Sequence, residues 1–164
     1  MLDMPRILWL AMGTMPLRNA LLPFAALLVA SAPPSGTPSG TTSGTTITVA
    51  VTNVTVAQGR VHVDICPKAR FLKEDCPWSG EAPAVIGTTI VTVADVPPGV
   101  YAAQAFHDRN GNHKVDRTLF GIPTEPVGFS NDAPIHMSPP KWADAAIQHG
   151  ETAQTITLKL RSFL

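Results

Sequence analysis

Between Thr46 and Val54 the side chains alternate, with Ile47, Val49 and Val51 on one side and Thr48, Ala50 and Thr52 on the other. A period of two puts successive residues on opposite faces, and β-branched side chains suit an extended backbone, so this run is a half-buried strand. The pattern then repeats. Gln58-Gly59 turns the chain, and Arg60 to Cys66 alternates again, with Val61, Val63 and Ile65 toward a core and His62 and Asp64 outward. Ile90 to Val96 forms a third run, stopped by Pro97-Pro98-Gly99. Proline removes ladder donors and glycine supplies an unusual turn angle, so Val100 to Phe106 returns as a hairpin partner. Thr155 to Leu160 alternates cleanly as a last strand. The one helical signal is a short turn in Pro139 to Ala146, with Ser138 as its cap. Several short strands with frequent turns predict an all-β fold, an antiparallel sandwich of about seven strands.

The chain has 164 residues, enough for one domain with a real core. Formal net charge is +0, from 12 basic and 12 acidic residues. No basic stripe with interleaved aromatics occurs, which argues against nucleic acid, because phosphate neutralisation needs clustered Lys and Arg. Residues 1–32 read as an export signal: Arg6 and Arg18 precede an apolar run, Asn19 to Ala32, that ends in small residues. That run is about 14 residues, short of the roughly 20 that a spanning helix needs. The alternative is an uncleaved anchor recruiting Ile7 to Leu17, with Pro16 and Arg18 placed awkwardly inside it. Removing residues 1–32 leaves 10 basic and 11 acidic side chains and no membrane span. Residues 33–45, built from Pro, Ser, Gly and Thr, bury too little to order themselves and are expected to be a flexible tether. The sandwich domain is placed at 46–164, in a periplasmic or secreted protein.

Cys66 and Cys76 are the only cysteines, with nine residues between them. In an oxidising compartment an isolated close pair is most simply one disulfide, stapling the excursion Pro67 to Asp75. The two-residue spacing of redox catalysis is absent.

The segment His107 to Asp116 concentrates the chemistry. Asp108, Asn110, Asn112 and Asp116 stand at relative positions one, three, five and nine, directly after a strand, with the Lys114 carbonyl at seven. Alternate oxygen-bearing groups on a curled loop converge on a hard cation, and calcium takes about six to eight oxygens. Two positions depart from a tight calcium loop: His113 occupies the place of the turn glycine, and Leu119 that of the bidentate glutamate. Two formal charges result unless Glu125 or Asp132 folds in. The other reading is a self-satisfied polar turn, since Asp and Asn hydrogen-bond their own backbone and tolerate left-handed angles. His107 and His113, with His136 or Met137, suggest a copper or zinc set by ligand type alone. Beyond the loop, Phe120 and Phe129 sit in a turn-rich stretch and are expected to pack as lids on the core edge with Trp142, or else to offer a stacking platform.

Three blocks in order carry a resemblance: Val96 to Ala102, Phe106 to Asp116, and Phe120 to Asn131, followed by Pro139-Pro140, Trp142 and Ala145. Over Thr46 to Arg161 the chain resembles the bacterial domain-of-unknown-function 2141 family. The resemblance implies an exported immunoglobulin-like or prealbumin-like sandwich with no established activity. The strand, Pro-Gly turn and Asp/Asn loop also resemble carboxypeptidase-regulatory and collagen-adhesin B-type modules, which serve binding or structure. His113, where the family more often has glycine, and the cysteine-bearing excursion depart from the pattern.

Three functional readings follow. The first is a non-enzymatic module that binds a ligand, calcium or an envelope or extracellular partner through the 107–132 face, with His107, Glu125, Phe129 and Asn131 as candidate contacts. The second is a purely structural envelope domain. The third is a hydrolase using Asp108 and Glu125 as paired carboxylates; Ser130 lies in no nucleophile-elbow motif.

Overall fold

Alternation along the first run produces the expected burial: Ile47, Val49 and Val51 are fully buried, while Thr48 and Ala50 on the opposite face stay half-open. The computed structural model describes residues 44–136 and 138–163, so the expected signal segment, nearly all of the tether and Met137 lie outside the described residues. Among the described residues, eight strands form two sheets. They are β1 (Thr45–Val54), β2 (Arg60–Cys66), β3 (Trp78–Pro83), β4 (Gly87–Val96), β5 (Gly99–Asp108), β6 (Val127–Phe129), β7 (Ala146–His149) and β8 (Gln154–Lys159). The smaller sheet runs β4-β1-β8 and the larger β3-β2-β5-β6, with β7 paired to the start of β5. The architecture is therefore the expected all-β sandwich.

Between the sheets, Ile47, Val49 and Val51 from β1 meet Val61, Val63 and Ile65 from β2 in one apolar cluster. Full burial of each such side chain contributes about 1.5–3 kcal/mol, so this cluster dominates the stability of the domain. Trp78 packs edge-on against Tyr101 with ring centroids 5.2 Å apart, closing one end. A second, smaller cluster lies outside the larger sheet, where Phe71 meets Phe129 and Trp142 edge-on around Ala102, Ala133 and Ala145.

The two sheets are sewn together along both flanks. At one corner Gly80 of β3 lies so close to β4 that a Cβ there would stand 2.4 Å from the Thr92 carbonyl oxygen. At the other, Val127 and Arg161 exchange both backbone hydrogen bonds, at 3.0 and 2.8 Å. These close approaches cover part of the sheet edges that otherwise template aggregation.

Several details differ from the sequence expectation. β1 pairs with β8 in parallel, Val49 opposite Ile156, whereas every other pair is antiparallel. β8 reaches the β1 edge only after the chain has built the second sheet, and that long crossover allows a parallel approach. β3, β6 and β7 carry no alternation signal of their own; each is short and recruited by a neighbour, as Trp78 is by Ile65. The helical turn is present as α1 (Trp142–Ala145), but Lys141 occupies its N-cap position, without a side-chain cap bond, rather than Ser138. The expected bridge between Cys66 and Cys76 is formed.

Position along the strands fixes two ends. Thr45 lies opposite Val96 and within 2.9 Å of the His149 ring, near the start of β5. Arg60 lies opposite Asp108, at the far end of β5. The polar loop therefore leaves the sandwich at the end opposite Thr45.

Candidate functional site

Asp108 ends β5 and is only 1% exposed. One carboxylate oxygen accepts the backbone N–H groups of Gly111 at 2.7 Å and Asn112 at 3.2 Å, and the other accepts that of His113 at 2.8 Å. Burial alone would raise the Asp108 pKa; the three backbone donors, helped by the nearby His113 ring, outweigh it and hold the carboxyl below its ordinary range. His113 itself adopts φ 59°, the left-handed conformation for which glycine is the usual choice. The departure seen in the sequence is thus a histidine held in a glycine-like backbone position by Asp108.

The rest of the loop closes on itself. The Asn110 and Asn112 side-chain amides donate to the two Asp116 carboxylate oxygens, at 2.6 and 2.9 Å. The Asn112 side-chain oxygen accepts the Lys114 N–H at 2.9 Å. Glu125 folds in as an additional brace, accepting the Arg109 N–H at 2.9 Å and the Asp116 N–H at 3.3 Å. Asn110 and Asn112 are therefore joined to Asp116 side chain to side chain, while Asp108 is bonded to the loop backbone, the arrangement of a self-satisfied polar turn. Asp132 is not among them, because it pairs with Arg161 at 2.7 Å. Among the described residues, no group of three or more His, Cys, Asp or Glu side chains is arranged to hold a metal ion.

Other candidates separate. His107 was expected on the surface, but it is fully buried on the inner face of β5, its Nε2 donating to the Gln58 carbonyl oxygen at 2.7 Å. Strand alternation sends it inward, under the β1–β2 turn, so it cannot join His113 and His136 on one metal. Asn131 donates to the Ala146 and Asp144 carbonyl oxygens, anchoring β7 and α1. Buried Ser130 likewise bonds Ala103 and Ala145, a structural pin. Phe129 joins the Phe71–Trp142 cluster as a lid, as expected. Phe120 does not: it is 90% exposed, and neighbouring Leu119 is fully exposed. Both ride on a small hairpin held by the Arg117–Pro123 bridge and by the Thr118 N–H donating to the Ile122 carbonyl oxygen at 2.8 Å. The tip turns at Gly121, φ 78°, which points these side chains away from the core.

That hairpin forms one lip of a cleft of about 1030 Å³ over the outer face of the larger sheet. Its floor is His62 and Asp64 from β2 with Gln104 and Phe106 from β5. The His62 and Phe106 rings lie 5.0 Å apart. Burial would lower the His62 pKa, but the 2.8 Å bond from its Nε2 to Asp64, with the charges of Asp64, Glu81 and Asp108, raises it instead. The opposite lip is the disulfide-stapled excursion. Gln104 ties it down by donating to the Lys73 carbonyl oxygen at 2.7 Å and accepting the Leu72 N–H at 3.1 Å. Leu72 is held there at φ 67°, a costly conformation for a bulky side chain, and such strain concentrates at working surfaces.

Sequence reasoning placed His62 and Asp64 outward correctly but took that side for plain surface. The signal available was the pair of long excursions, 67–76 and 108–126, leaving opposite ends of the paired strands β2 and β5; they cover the outward face between them.

No curated protein and no solved structure matches this chain. One family model does match, over residues 49–157, described as an uncharacterized protein conserved in bacteria (DUF2141). The match takes in the core strands, the Asp108 loop and the cleft floor, and the chain belongs to that family.

Proposed function

We propose that this protein is an exported, non-enzymatic binding module whose working surface is the cleft between the Phe120 hairpin and the disulfide-stapled lip. The observation that carries the reading is Phe120 itself. A large aromatic side chain stands 90% exposed at the cleft mouth on a hairpin held by the Thr118–Ile122, Gly121–Thr118 and Thr124–Asp116 backbone hydrogen bonds. An ordered apolar group presented to solvent beside a concave apolar surface is the usual form of a ligand site. The disulfide and the apolar N-terminal run after Arg18 support export to the periplasm or beyond. The partner is then an envelope or extracellular molecule. Asp108 and Glu125, the carboxylates a hydrolase would need, are both buried and both occupied by backbone N–H groups, which favours binding over catalysis.

The test uses a neutral amphiphile, octyl glucoside below its micellar concentration, titrated calorimetrically into the full chain. Binding is expected, weakened about five- to tenfold in Phe120→Ser, since loss of a well-placed aromatic contact removes about 1–1.5 kcal/mol. Equal affinity for both proteins would remove the cleft mouth from the site.

A second reading rests on Asn110 and Asn112 meeting at Asp116 on the same short loop as Asp108. The two amides present nitrogen to Asp116 while their oxygens accept the Asn112 and Lys114 N–H groups, so a cation would have to replace these bonds with its own. A weak calcium site, with the Lys114 carbonyl as a further oxygen, is the proposal. Calcium should then raise the melting temperature of the wild type and not of Asp108→Ala; no shift with calcium against chelator would discard it.

A further inference from the structure

The cleft's charge narrows its ligand, and this step rests on the binding reading above. Phe106 lies on the floor, Phe120 and Ile122 line one lip, and Leu72 the other. Phe120, Ile122 and Leu72 are 90%, 42% and 41% exposed, so the apolar surface is open on both sides. Lys73, Lys114 and Arg117 stand among them. The ion pairs of the described residues engage Arg60, Arg70, Arg161, His62 and His113, leaving those three cations without a carboxylate. Two carboxylates also line the cleft, Asp64 and Glu74. Asp64 is spent on His62 at 2.8 Å and on the Gln104 amide at 3.2 Å, so Glu74 alone opposes three cations. Three histidines, His62, His113 and His136, line the same space, and His62 and His113 share the Glu81 carboxylate, at 3.9 and 3.5 Å.

We propose that the cleft binds a soluble single-chain amphipathic anion, its alkyl chain over Phe106 between Leu72 and Phe120 and its carboxylate at Lys114 and Arg117. Unpaired cations around an apolar trough are complementary to a molecule with one anionic head and one greasy tail. A volume of about 1030 Å³ is ample for it. A membrane surface is the competing occupant of an exposed apolar tip, but it would take up Leu119 as readily as Phe120. Leu119 is fully exposed and lies outside the cleft lining, so the two occupants make opposite demands on it.

The experiment compares dodecanoate with dodecyltrimethylammonium, equal in chain and opposite in charge, each titrated into the full chain at neutral pH below micellar concentration. Dodecanoate is expected to bind roughly tenfold more tightly, the scale of a few partly screened charge contacts. The double variant Lys114→Glu/Arg117→Glu should abolish that preference. Phe120→Ser should weaken dodecanoate, and Leu119→Ser should leave it unchanged. Equal affinity for both amphiphiles, with octyl glucoside still bound, would overturn the anionic ligand while the cleft stands. Failure of all three probes would overturn both readings. Binding to phosphatidylglycerol vesicles that is lost in Leu119→Ser, without dodecanoate binding, would assign the tip to a membrane surface and overturn the proposal.

Discussion

The side-chain amide of Gln104 donates to the carbonyl oxygen of Lys73 at 2.7 Å, pinning an excursion 31 residues earlier in the chain to the middle of β5. The same side chain accepts the Leu72 N–H and donates to Asp64, so one residue holds floor and lip together. Gln104→Leu keeps the bulk and removes every one of these bonds. It should cost about 0.5–1.5 kcal/mol, the net worth of a hydrogen bond at an exposed position where water takes over from the lost acceptor. Amide exchange at Leu72 should accelerate markedly while β1 amides hardly change. Unchanged exchange at Leu72 would show that the lip is held by the disulfide alone.

The bridge closes a short loop at the end of β2. By the chain-entropy account such a loop contributes about 2–3 kcal/mol, mainly by restricting the unfolded chain. Cys66→Ala/Cys76→Ala should therefore lower the unfolding free energy from urea titration by that amount and still fold, since the core cluster around Val61, Val63 and Ile65 does not include the cysteines. The paired loss should be accompanied by weaker octyl glucoside binding, because Leu72 and Lys73 lose one of their two fastenings.

Asp108 makes the acid limb of stability. Its folded pKa is depressed, so its contribution is complete above the ordinary carboxylate range and is lost as pH falls through the lower folded value. A series of urea midpoints against pH should show a steep acid loss in wild type and a shallower one in Asp108→Asn, which has no charge to lose. Asp108→Ala leaves three backbone donors without their acceptor and should cost roughly 2–4 kcal/mol at neutral pH. Superimposable acid limbs for wild type and Asp108→Asn would contradict the assignment.

His62 has the opposite sign. Its folded pKa is raised, so the protonated ring stabilises fully below about 6.5, and that contribution disappears as pH rises through the higher folded value. An NMR titration of the imidazole should give a midpoint above 6.5, moving down in Asp64→Asn. A midpoint at or below 6.5 in wild type would mean that burial, not Asp64, controls the ring.

Strands with unbroken alternation were legible from sequence: Ile47, Val49 and Val51 declare β1, and Val61, Val63 and Ile65 declare β2. Trp78 to Pro83 contains glycine and proline and has no such signal; β2 and the β4 corner make it a strand. The same divide runs through the site. The Asp108 loop could be located because Asx spacing is local. The burial of His107 depends on where the β1–β2 turn lies, and the exposure of Phe120 on a hairpin closed by Arg117 and Pro123, both relations between distant or newly paired residues. Hydrophobicity pointed Phe120 inward, whereas the turn at Gly121 points it out.

Ligand entry over Gln104 and Phe106 can be read from backbone amide shifts of the isotope-labelled full chain titrated with dodecanoate. The account predicts saturable shifts at Leu72, Gln104, Phe106 and Gly121, with the β1–β4 face silent. Shifts centred instead on Val85, Ile86 and Ile90, a second group of exposed apolar residues, would contradict it.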